Sequence, residues 1–309
     1  MKHLARYGLL SGLLVVACIG ERAASPRGIL FVSVRPPEHT GEEIYIVNAD
    51  GTGERRLTFS GDGKNSNIPQ WSPDGTRIAF ASNREDDEGR SSIYVMDGDG
   101  TNVHRLTPVG SRDYFPHWSP DGTKIAFMSS RDGDEEVYVM SPDGSGVQQL
   151  TDNEAFDAAY SWSPDGQHLV LSSDRDGHGM MVYVMDADGS NERAIGPGTG
   201  GWWADDHRLW YMDYPASMEK GVPCFGTMDL EGTVVEEWCG AKGSLGLKHS
   251  QCPSPSKTQI AFLEIPDGDV SFPVTEEELN KIELYVGAAN GSNVRRLTFN
   301  DFYDGHCSW

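Results

Sequence analysis

Three histidines are placed where their imidazoles could share a metal ion. His117 and His306 each lie an odd number of residues before a tryptophan in copies of one motif, so an extended strand would turn both to the same face. His249 lies near a weaker copy. Imidazoles that converge on a channel suit a transition metal, but no His-x-x-x-His spacing or fixed carboxylate accompanies them. Ordinary surface or core histidines are the alternative, and the metal site stays open.

Acidic residues recur beside the same motif. Asp113, Asp157 and Asp304 each lie five residues before the tryptophan, with aromatic residues close by. They suit a polar and aromatic rim for a partner, but we favour structural pairing with arginines of the neighbouring loops, because both recur with the repeat. Aromatic residues confined to single loops are better contact candidates. The predicted partner-binding residues are Trp203, Tyr214, Tyr303, Tyr114, Asp113, Asp157 and Asp304.

Motifs for serine hydrolysis, phosphate binding and calcium binding are absent or incomplete in this sequence. The chain has no Gly-x-Ser-x-Gly elbow for a serine hydrolase. The glycine-rich segment 196–201 lacks the lysine and following helix of a phosphate-binding loop, so we predict an ordinary loop. Asp97-Gly-Asp-Gly100 lacks the ligand spacing of a calcium loop and reads as a hairpin turn. We therefore predict no catalytic residue and no cofactor.

The charge balance restricts the possible partners. The chain has 47 acidic and 25 basic side chains and a net charge of −22. Nucleic-acid binding requires a basic patch that neutralises phosphates, and anionic membrane surfaces also attract basic segments. Both classes of partner are therefore disfavoured. Hydrophobic residues make up 38% of the chain, which is enough to build a folded core.

The N-terminus reads as an export signal. A positive start precedes the apolar run 8–17, which is too short to span a bilayer but fits the core of a signal peptide. Cys18 follows a small alanine, as in a bacterial lipobox, where the cysteine is lipidated. An ordinary signal peptide with a chance cysteine is the alternative. We predict a signal peptide over 1–17, a lipidated tether over 18–27, and attachment to the bacterial cell envelope, on the periplasmic or the surface side of the outer membrane.

One unit repeats along the rest of the chain. Trp71-Ser-Pro-Asp-Gly-Thr-Arg-Ile78 recurs from Trp118 and Trp162, and each copy continues to a Tyr-Val-Met segment and an Asp-Gly turn. The same spacing finds weaker copies at Trp202 and Pro253. Apolar alternation, a Pro-Asp-Gly turn and an Asp-Gly hairpin predict four short strands in each unit. Four-stranded units of about 40–50 residues are typical of a β-propeller.

The two ends of the chain complete the count of units. The segment from Gly28 opens in the middle of a repeat and lacks its own tryptophan strand, whereas 304–309 is such a strand and nothing more. We therefore predict an all-β, six-bladed propeller over 28–309, whose ring is closed when the C-terminal strand joins the N-terminal blade. Tryptophans at one phase of the repeat are expected to pack between blades.

Alternating strand direction sorts the loops onto two faces. The first-to-second and third-to-fourth turns are short and form what we call the short-turn face. The second-to-third and fourth-to-first loops vary in length and form the variable-loop face. Variable loops on a rigid frame usually carry recognition, so we expect binding there and at the mouth of the channel.

The repeat resembles a known family. Trp118-Ser-Pro-Asp-Gly-Thr-Lys-Ile-Ala-Phe127, followed by Ser130-Arg-Asp-Gly133 and Val137-Tyr-Val-Met140, is similar to the Pro-Asp-type propeller repeat of TolB-like proteins. The resemblance covers about 28–309 and is strongest in the second to fourth blades. It implies a β-propeller fold.

Four further cysteines follow Cys18, and export makes disulfides plausible. Cys224 and Cys239 fall on neighbouring strands of the fifth unit. Cys252 and Cys307 fall on first strands that ring closure makes adjacent. We predict the pairs 224–239 and 252–307, with free buried thiols as the alternative.

These features favour a non-enzymatic, monomeric lipoprotein that binds an envelope protein or peptide and touches the membrane only through its lipid. The alternative is a carbohydrate-active propeller, a lyase or glycan binder, with a metal or sugar site at the central channel. Similar repeats occur in certain lyases that cleave pectic oligomers with the help of a metal.

Overall fold

Short β-strands make up all the elements assigned within the described part of the chain. The structure is a computed structural model that describes residues 27–35, 40–177, 179–203, 206–213, 219, 224–239, 252–253, 259–264, 283–288, 293–299 and 304–308. None of these residues belongs to a helix with the length and apolar character that a membrane crossing requires.

The strands follow one another at regular intervals. The first twelve are β1 (Ile29–Ser33), β2 (Glu43–Val47), β3 (Arg55–Arg56), β4 (Ser66–Trp71), β5 (Arg77–Ser82), β6 (Ser92–Asp97), β7 (His104–Arg105), β8 (Asp113–Trp118), β9 (Ile125–Ser129), β10 (Glu136–Met140), β11 (Gln148–Gln149) and β12 (Asp157–Trp162). The others are β13 (His168–Ser173), β14 (Met181–Asp186), β15 (Arg193–Pro197), β16 (Thr199–Trp203), β17 (Arg208–Met212), β18 (Cys224–Asp229), β19 (Val234–Cys239), β20 (Cys252–Pro253), β21 (Gln259–Glu264), β22 (Glu283–Ala288), β23 (Arg295–Arg296) and β24 (Asp304–Ser308).

These strands form four-stranded antiparallel sheets, one for each predicted unit. Sheet 1 has the order β24-β1-β2-β3, so the C-terminal strand pairs with the N-terminal one. Sheets 2 to 6 are β4–β7, β8–β11, β12–β15, β16–β19 and β20–β23. Strands of sheet 6 contact β24, and each sheet from 1 to 4 contacts the next. The predicted all-β architecture of four-stranded units is confirmed.

Alternation along the strands explains why each sheet buries both of its faces. In β5, Ile78 and Phe80 pack toward sheet 1, whereas Ala79 and Ala81 pack toward sheet 3. Successive side chains of a strand point to opposite faces, so large residues fill one interface and small residues fill the other. The sheets can therefore approach closely without leaving a solvated face.

Three of the four motif tryptophans lie between sheets, as predicted, and the side chain of Trp202 is not among those described. Trp71 of sheet 2 is buried against Leu30, Val32 and Ile44 of sheet 1, and its indole N–H donates to the carbonyl of Gly28 at 3.1 Å. Trp118 and Trp162 are buried in the next two interfaces. Each indole thus joins one sheet to the preceding one by packing, and Trp71 and Trp162 add a hydrogen bond.

The Ser-Pro-Asp-Gly turns are held by their own side chains. Asp121 accepts hydrogen bonds from Ser119 and Thr123, which lower the pKa of its carboxyl, and Gly122 has a φ of 69° that favours glycine. Asp165 and Gly166 repeat the arrangement in sheet 4. Part of the acidic surplus is therefore turn structure on the short-turn face.

The glycine-rich segment differs from the predicted loop, because β15 runs into it and β16 starts within it. A Cβ on Gly201 would lie 1.9 Å from Val170 Cγ1 in sheet 4. Glycine is thus required there for the close approach of sheets 4 and 5, and not for binding a phosphate.

Candidate functional site

Buried aspartates and arginines hold the loops of the variable-loop face. Asp113, the first residue of β8, is fully buried and accepts a hydrogen bond from Arg131 at 3.0 Å. Asp157, the first residue of β12, is paired in the same way with Arg175 at 2.6 Å. This pairing of the recurring aspartates with loop arginines is the structural role that we favoured from the repeat. Contact of these aspartates with a partner stays a prediction, and their burial means that other side chains stand in front of them.

The arginines are fixed by further contacts. Arg131 donates from Nε to Ser129 at 2.9 Å and lies 4.6 Å above the ring of Tyr138. Arg175 makes the same two kinds of contact in sheet 4, with Ser173 and Tyr183. A guanidinium that is stacked and hydrogen-bonded on several sides loses its freedom to move. The second-to-third loops therefore start from a rigid base.

Glutamates at the start of third strands form another buried layer. Glu43 of β2 is paired with Arg56 at 2.7 Å, and Glu283 of β22 is paired with Arg296. Both glutamates are buried. Buried carboxylates require such donors, because leaving them unpaired in an apolar interior is costly.

Two phenylalanines of this face are the most exposed large apolar side chains of the described residues. Phe59 is 73% exposed and Phe299 is 75% exposed. Each follows an Arg-Leu-Thr segment and lies beside its guanidinium, at 4.5 Å from Arg56 and 4.9 Å from Arg296. Our sequence reasoning missed them, although the identical segments Arg-Leu-Thr-Phe would have shown that they share a position in the repeat.

Two of the aromatic residues that we predicted to contact a partner lie on opposite faces of the protein. Tyr114 follows Asp113 at the variable-loop end of β8 and is partly buried. Trp203 is the last residue of β16, directly before the turn to β17, so it lies at the short-turn end of sheet 5, where its ring stacks on that of His168 with centroids 6.5 Å apart. The expectation that Trp203 lies on the variable-loop face is therefore wrong, and its contact with a partner stays a prediction. The reason is that the Trp-Trp doublet fills the last two positions of a first strand.

The other candidate contacts have no described side chain. Tyr214 and Tyr303 lie outside the described residues. Asp304 opens β24 and pairs in register with Ser33, as Asp113 does with Ser129, but its side chain is not among those described. Their role stays a prediction.

His117 lies next to Trp118, near the short-turn end of β8. It is on β8, its ring is partly buried, and its Nε2 is enclosed without a hydrogen-bond partner. Burial lowers the pKa of its imidazole to about 4, so the ring is neutral near pH 7. Within the described residues, no group of three or more histidine, cysteine or acidic side chains could hold a metal ion. His249 lies outside these residues, and of His306 only the place on β24 is known.

The cysteines agree with part of the predicted pairing. Cys224 is in a disulfide, and Cys239 lies opposite it in the register of β18 and β19. Cys252 and Cys307 lie on β20 and β24, which are in contact. Their side chains are not described, so both pairs stay predictions.

We predict that Asp113→Ala lowers the free energy of unfolding by about 3 kcal/mol, because Arg131 is left partly buried without its carboxylate. Glu85→Ala is the matched control, since it removes the carboxylate of the exposed pair with Arg105 and should cost about 1 kcal/mol or less. Urea unfolding followed by tryptophan fluorescence measures both values. Equal effects of the two substitutions would contradict the structural role of Asp113.

We predict that His117 makes the protein less stable in acid. The folded pKa of about 4 lies below the ordinary value of 6.5, so the unfolded chain binds the additional proton between these values. The stabilisation that the neutral His117 provides is fully present above pH 6.5. As the pH falls toward 4, the free energy of unfolding decreases by up to about 3 kcal/mol. His117→Gln should remove this slope from urea unfolding measured across pH 4–7. An unchanged slope would show that the imidazole is not the group responsible.

The comparisons with known proteins agree on the fold. A family profile described as the Tricorn protease N-terminal β-propeller domain matches residues 89–220. No curated protein matches the chain. Among solved structures, TolB from Acinetobacter baumannii superposes with a TM-score of 0.68 at 19% identity, covering 92% of this chain and 67% of that one.

Two further structures cover the chain to the same extent. A putative TolB from Agrobacterium tumefaciens gives a TM-score of 0.62 at 18% identity, with 91% of each chain covered. Kuenenia stuttgartiensis hydrazine synthase gives 0.66 at 16% identity, covering 92% of this chain and 46% of that one. At such identities the likeness concerns the fold. With its repeated four-stranded sheets and inter-sheet tryptophans, the chain has the β-propeller fold that these TolB structures share.

Proposed function

We propose that the chain is a non-enzymatic lipoprotein of the bacterial envelope that acts as a protein–protein interaction module. It binds an envelope protein or peptide through the variable-loop face of a closed, six-bladed propeller. The observation that carries this proposal is the pair of exposed phenylalanines on that face, Phe59 and Phe299.

The closed ring is supported by the order of the sheets. Sheet 6 touches sheet 1 through β24, and sheets 1 to 5 follow in sequence, so a contact between sheets 5 and 6 would complete six blades. β24 comes from the C-terminus and pairs with β1 from the N-terminus. Closure of this kind leaves no free sheet edge at the seam.

Phe59 and Phe299 have the properties of binding anchors. Large aromatic side chains that are exposed in the free protein and fixed before binding contribute much of the affinity of protein interfaces. Arg56 and Arg296 fix them here, since each guanidinium is itself held by a buried glutamate. The two anchors occupy equivalent positions in adjacent sheets, so one partner surface could cover both.

Charge on the same face indicates the chemistry of the partner. Many acids of the described variable loops are exposed, whereas the lysine and most of the arginines are engaged in ion pairs. The exposed acids are Asp62, Glu85, Asp87, Glu88, Asp132, Asp152, Glu154, Asp174 and Asp176. Of these, Glu85, Asp87 and Glu88 are themselves paired with Arg105, Lys64 and Arg90. A partner with basic residues around an apolar centre is complementary to this surface.

The envelope location is supported by the sequence alone. Cys18 follows a short apolar run and a small residue, as lipidation requires, and its lipid would be the only attachment to a membrane. We propose a periplasmic or surface position at the outer membrane and a monomeric protein. The carbohydrate-active alternative depended on three histidines, and the one with a described side chain, His117, favours no such site.

We predict that Phe59→Ala combined with Phe299→Ala weakens partner binding at least about tenfold, because each removes a preformed aromatic anchor. Crosslinking and pull-down from envelope extracts identify the partner with the wild-type protein, and titration of the purified partner gives the affinity. Val147→Ala combined with Val294→Ala is the control, since these valines are exposed beside third-to-fourth turns of the opposite face. Equal binding by both double variants would reject the variable-loop face.

We predict that Cys18→Ser abolishes incorporation of labelled fatty acid and releases the protein from the membrane fraction. The hydroxyl cannot replace the thiol as the acceptor of the lipid. Ser11→Ala, in the same apolar segment, is the control and should remain lipidated. Membrane retention of the Cys18 variant without label would contradict the anchor and would leave the interaction role untouched.

A further inference from the structure

Two positions of the repeat meet where one sheet contacts the next. The first residue of the third strand in one sheet lies beside the first residue of the next sheet. The backbone N–H of that residue in the next sheet donates to the backbone carbonyl of the residue that precedes the third strand. These bonds run from Ser66 to Glu42 at 2.7 Å, from Asp113 to Ser91 at 2.9 Å and from Asp157 to Glu135 at 2.8 Å. The side chains that come together are therefore set by the register of the sheets.

The contact between sheets 3 and 4 is unusual in its chemistry. Glu43 meets Ser66 between sheets 1 and 2, and Ser92 meets Asp113 between sheets 2 and 3, so each of these contacts holds one acid and one serine. Between sheets 3 and 4, Glu136 meets Asp157. Among the sheet contacts whose side chains are described, this one alone brings two carboxyl groups together.

The cation that neutralises such a glutamate is missing in sheet 3. Arg56 lies opposite Tyr45 and pairs with Glu43. The equivalent residue in sheet 3 is Gln149, which lies opposite Tyr138 and donates to Asp132 at 2.8 Å. Glu136 therefore has no arginine of its own.

The hydrogen bonds around the pair leave one oxygen on each acid without a donor. The backbone N–H of Asn153 donates to Glu136 Oε1, while the Asn153 side chain and Arg175 both donate to Asp157 Oδ2 at 2.6 Å. Glu136 Oε2 and Asp157 Oδ1 are enclosed and have no partner. The two residues are 1% and 0% exposed, so bulk solvent does not reach them.

We propose that Glu136 and Asp157 share one proton, which makes the contact between sheets 3 and 4 sensitive to pH near neutrality. Two buried carboxylates at hydrogen-bonding distance repel each other when both are ionised. A proton on Glu136 removes this repulsion and donates to the partner oxygen, so that both orphaned atoms are satisfied.

The electrostatics of the surrounding groups agree with this. Burial first, and then the charge and hydrogen bond of Asp157, raise the pKa of Glu136 to about 7, although the hydrogen bonds with Thr151 and Asn153 lower it. The groups packed around the pair are Asp157 of β12, Arg175 after β13, Glu192 before β15, Arg131 and Asp132 after β9, and Tyr138 of β10. Arg175 is shared between Asp157 and Glu192, and Arg131 is engaged by Asp113, so no cation is left for Glu136.

The direction of the pH effect follows from these values. An unfolded glutamate has a pKa near 4.5, whereas the folded one is near 7, so the folded protein holds an additional proton between them. The stabilisation is complete below about pH 4.5 and is lost as the pH rises through 7. The segments 130–135 and 152–156 flank the pair, so the variable-loop face loosens on the alkaline side. This inference stands independently of the proposed partner.

Isotope-edited infrared spectroscopy of the glutamate-labelled full chain tests the proposal directly. The wild type should show a protonated glutamate carbonyl band at pH 6 that disappears as the pH rises through about 7. Glu136→Gln should remove the band. Gln149→Arg restores the arginine found at positions 56 and 296, and should remove the band by giving Glu136 an ion pair. Glu43→Gln is the control and should leave the band unchanged.

Urea unfolding across pH 5–8 gives a second measurement. In the wild type, loss of the shared proton should raise the unfolding equilibrium constant by up to about tenfold for each unit that the pH rises between 5 and 7, and this increase should be missing in Glu136→Gln. A band that persists in Glu136→Gln, or a titration that is identical in Gln149→Arg and the wild type, would overturn the proposal. A titration that moves when Ca²⁺ is added would overturn it in favour of a metal ion.

Discussion

The structure depends on sheets that bury both faces against their neighbours. Four short strands do not make a stable sheet by themselves, and each sheet gains its stability from the interfaces on its two sides. The alternation of Ile78 and Phe80 with Ala79 and Ala81 shows how one strand serves two interfaces at once. The tryptophans at the ends of first strands complete the same interfaces. Their interval in the sequence therefore marks where each new sheet begins.

Burial on both sides has a consequence for polar groups. The strand ends of the variable-loop face carry acids that the neighbouring sheet covers, and each such acid requires a donor inside the protein. Arg131 and Arg175 supply it for the first strands, and Arg56 and Arg296 for two of the third strands. These ion pairs hold the variable loops on a rigid base. A substitution at any one position, as with Gln149, changes the charge state of a whole contact.

Much of the frame could be predicted from the residues. The repeat placed the strands, the turns and the inter-sheet tryptophans correctly, because each has a local signature that returns at a fixed spacing. The pairing of Asp113 with Arg131 was also foreseeable, since both recur with the repeat. Trp203 was misplaced, because an aromatic residue next to a weak copy of the motif gives no sign of the strand end at which it lies. Phe59 and Phe299 were missed, because an apolar residue after a strand resembles a core residue until its surroundings are known.

The sequence by itself determined the all-β repeat, because strand periodicity and turn chemistry are local properties of a few residues. It also determined the acidic character that disfavours nucleic acid as a partner. Only the tertiary structure decided which side chains are exposed and which acids meet across a contact. Exposure and charge pairing depend on residues that are far apart in the chain, and the register between sheets brings Glu136 to Asp157 while leaving Phe59 uncovered.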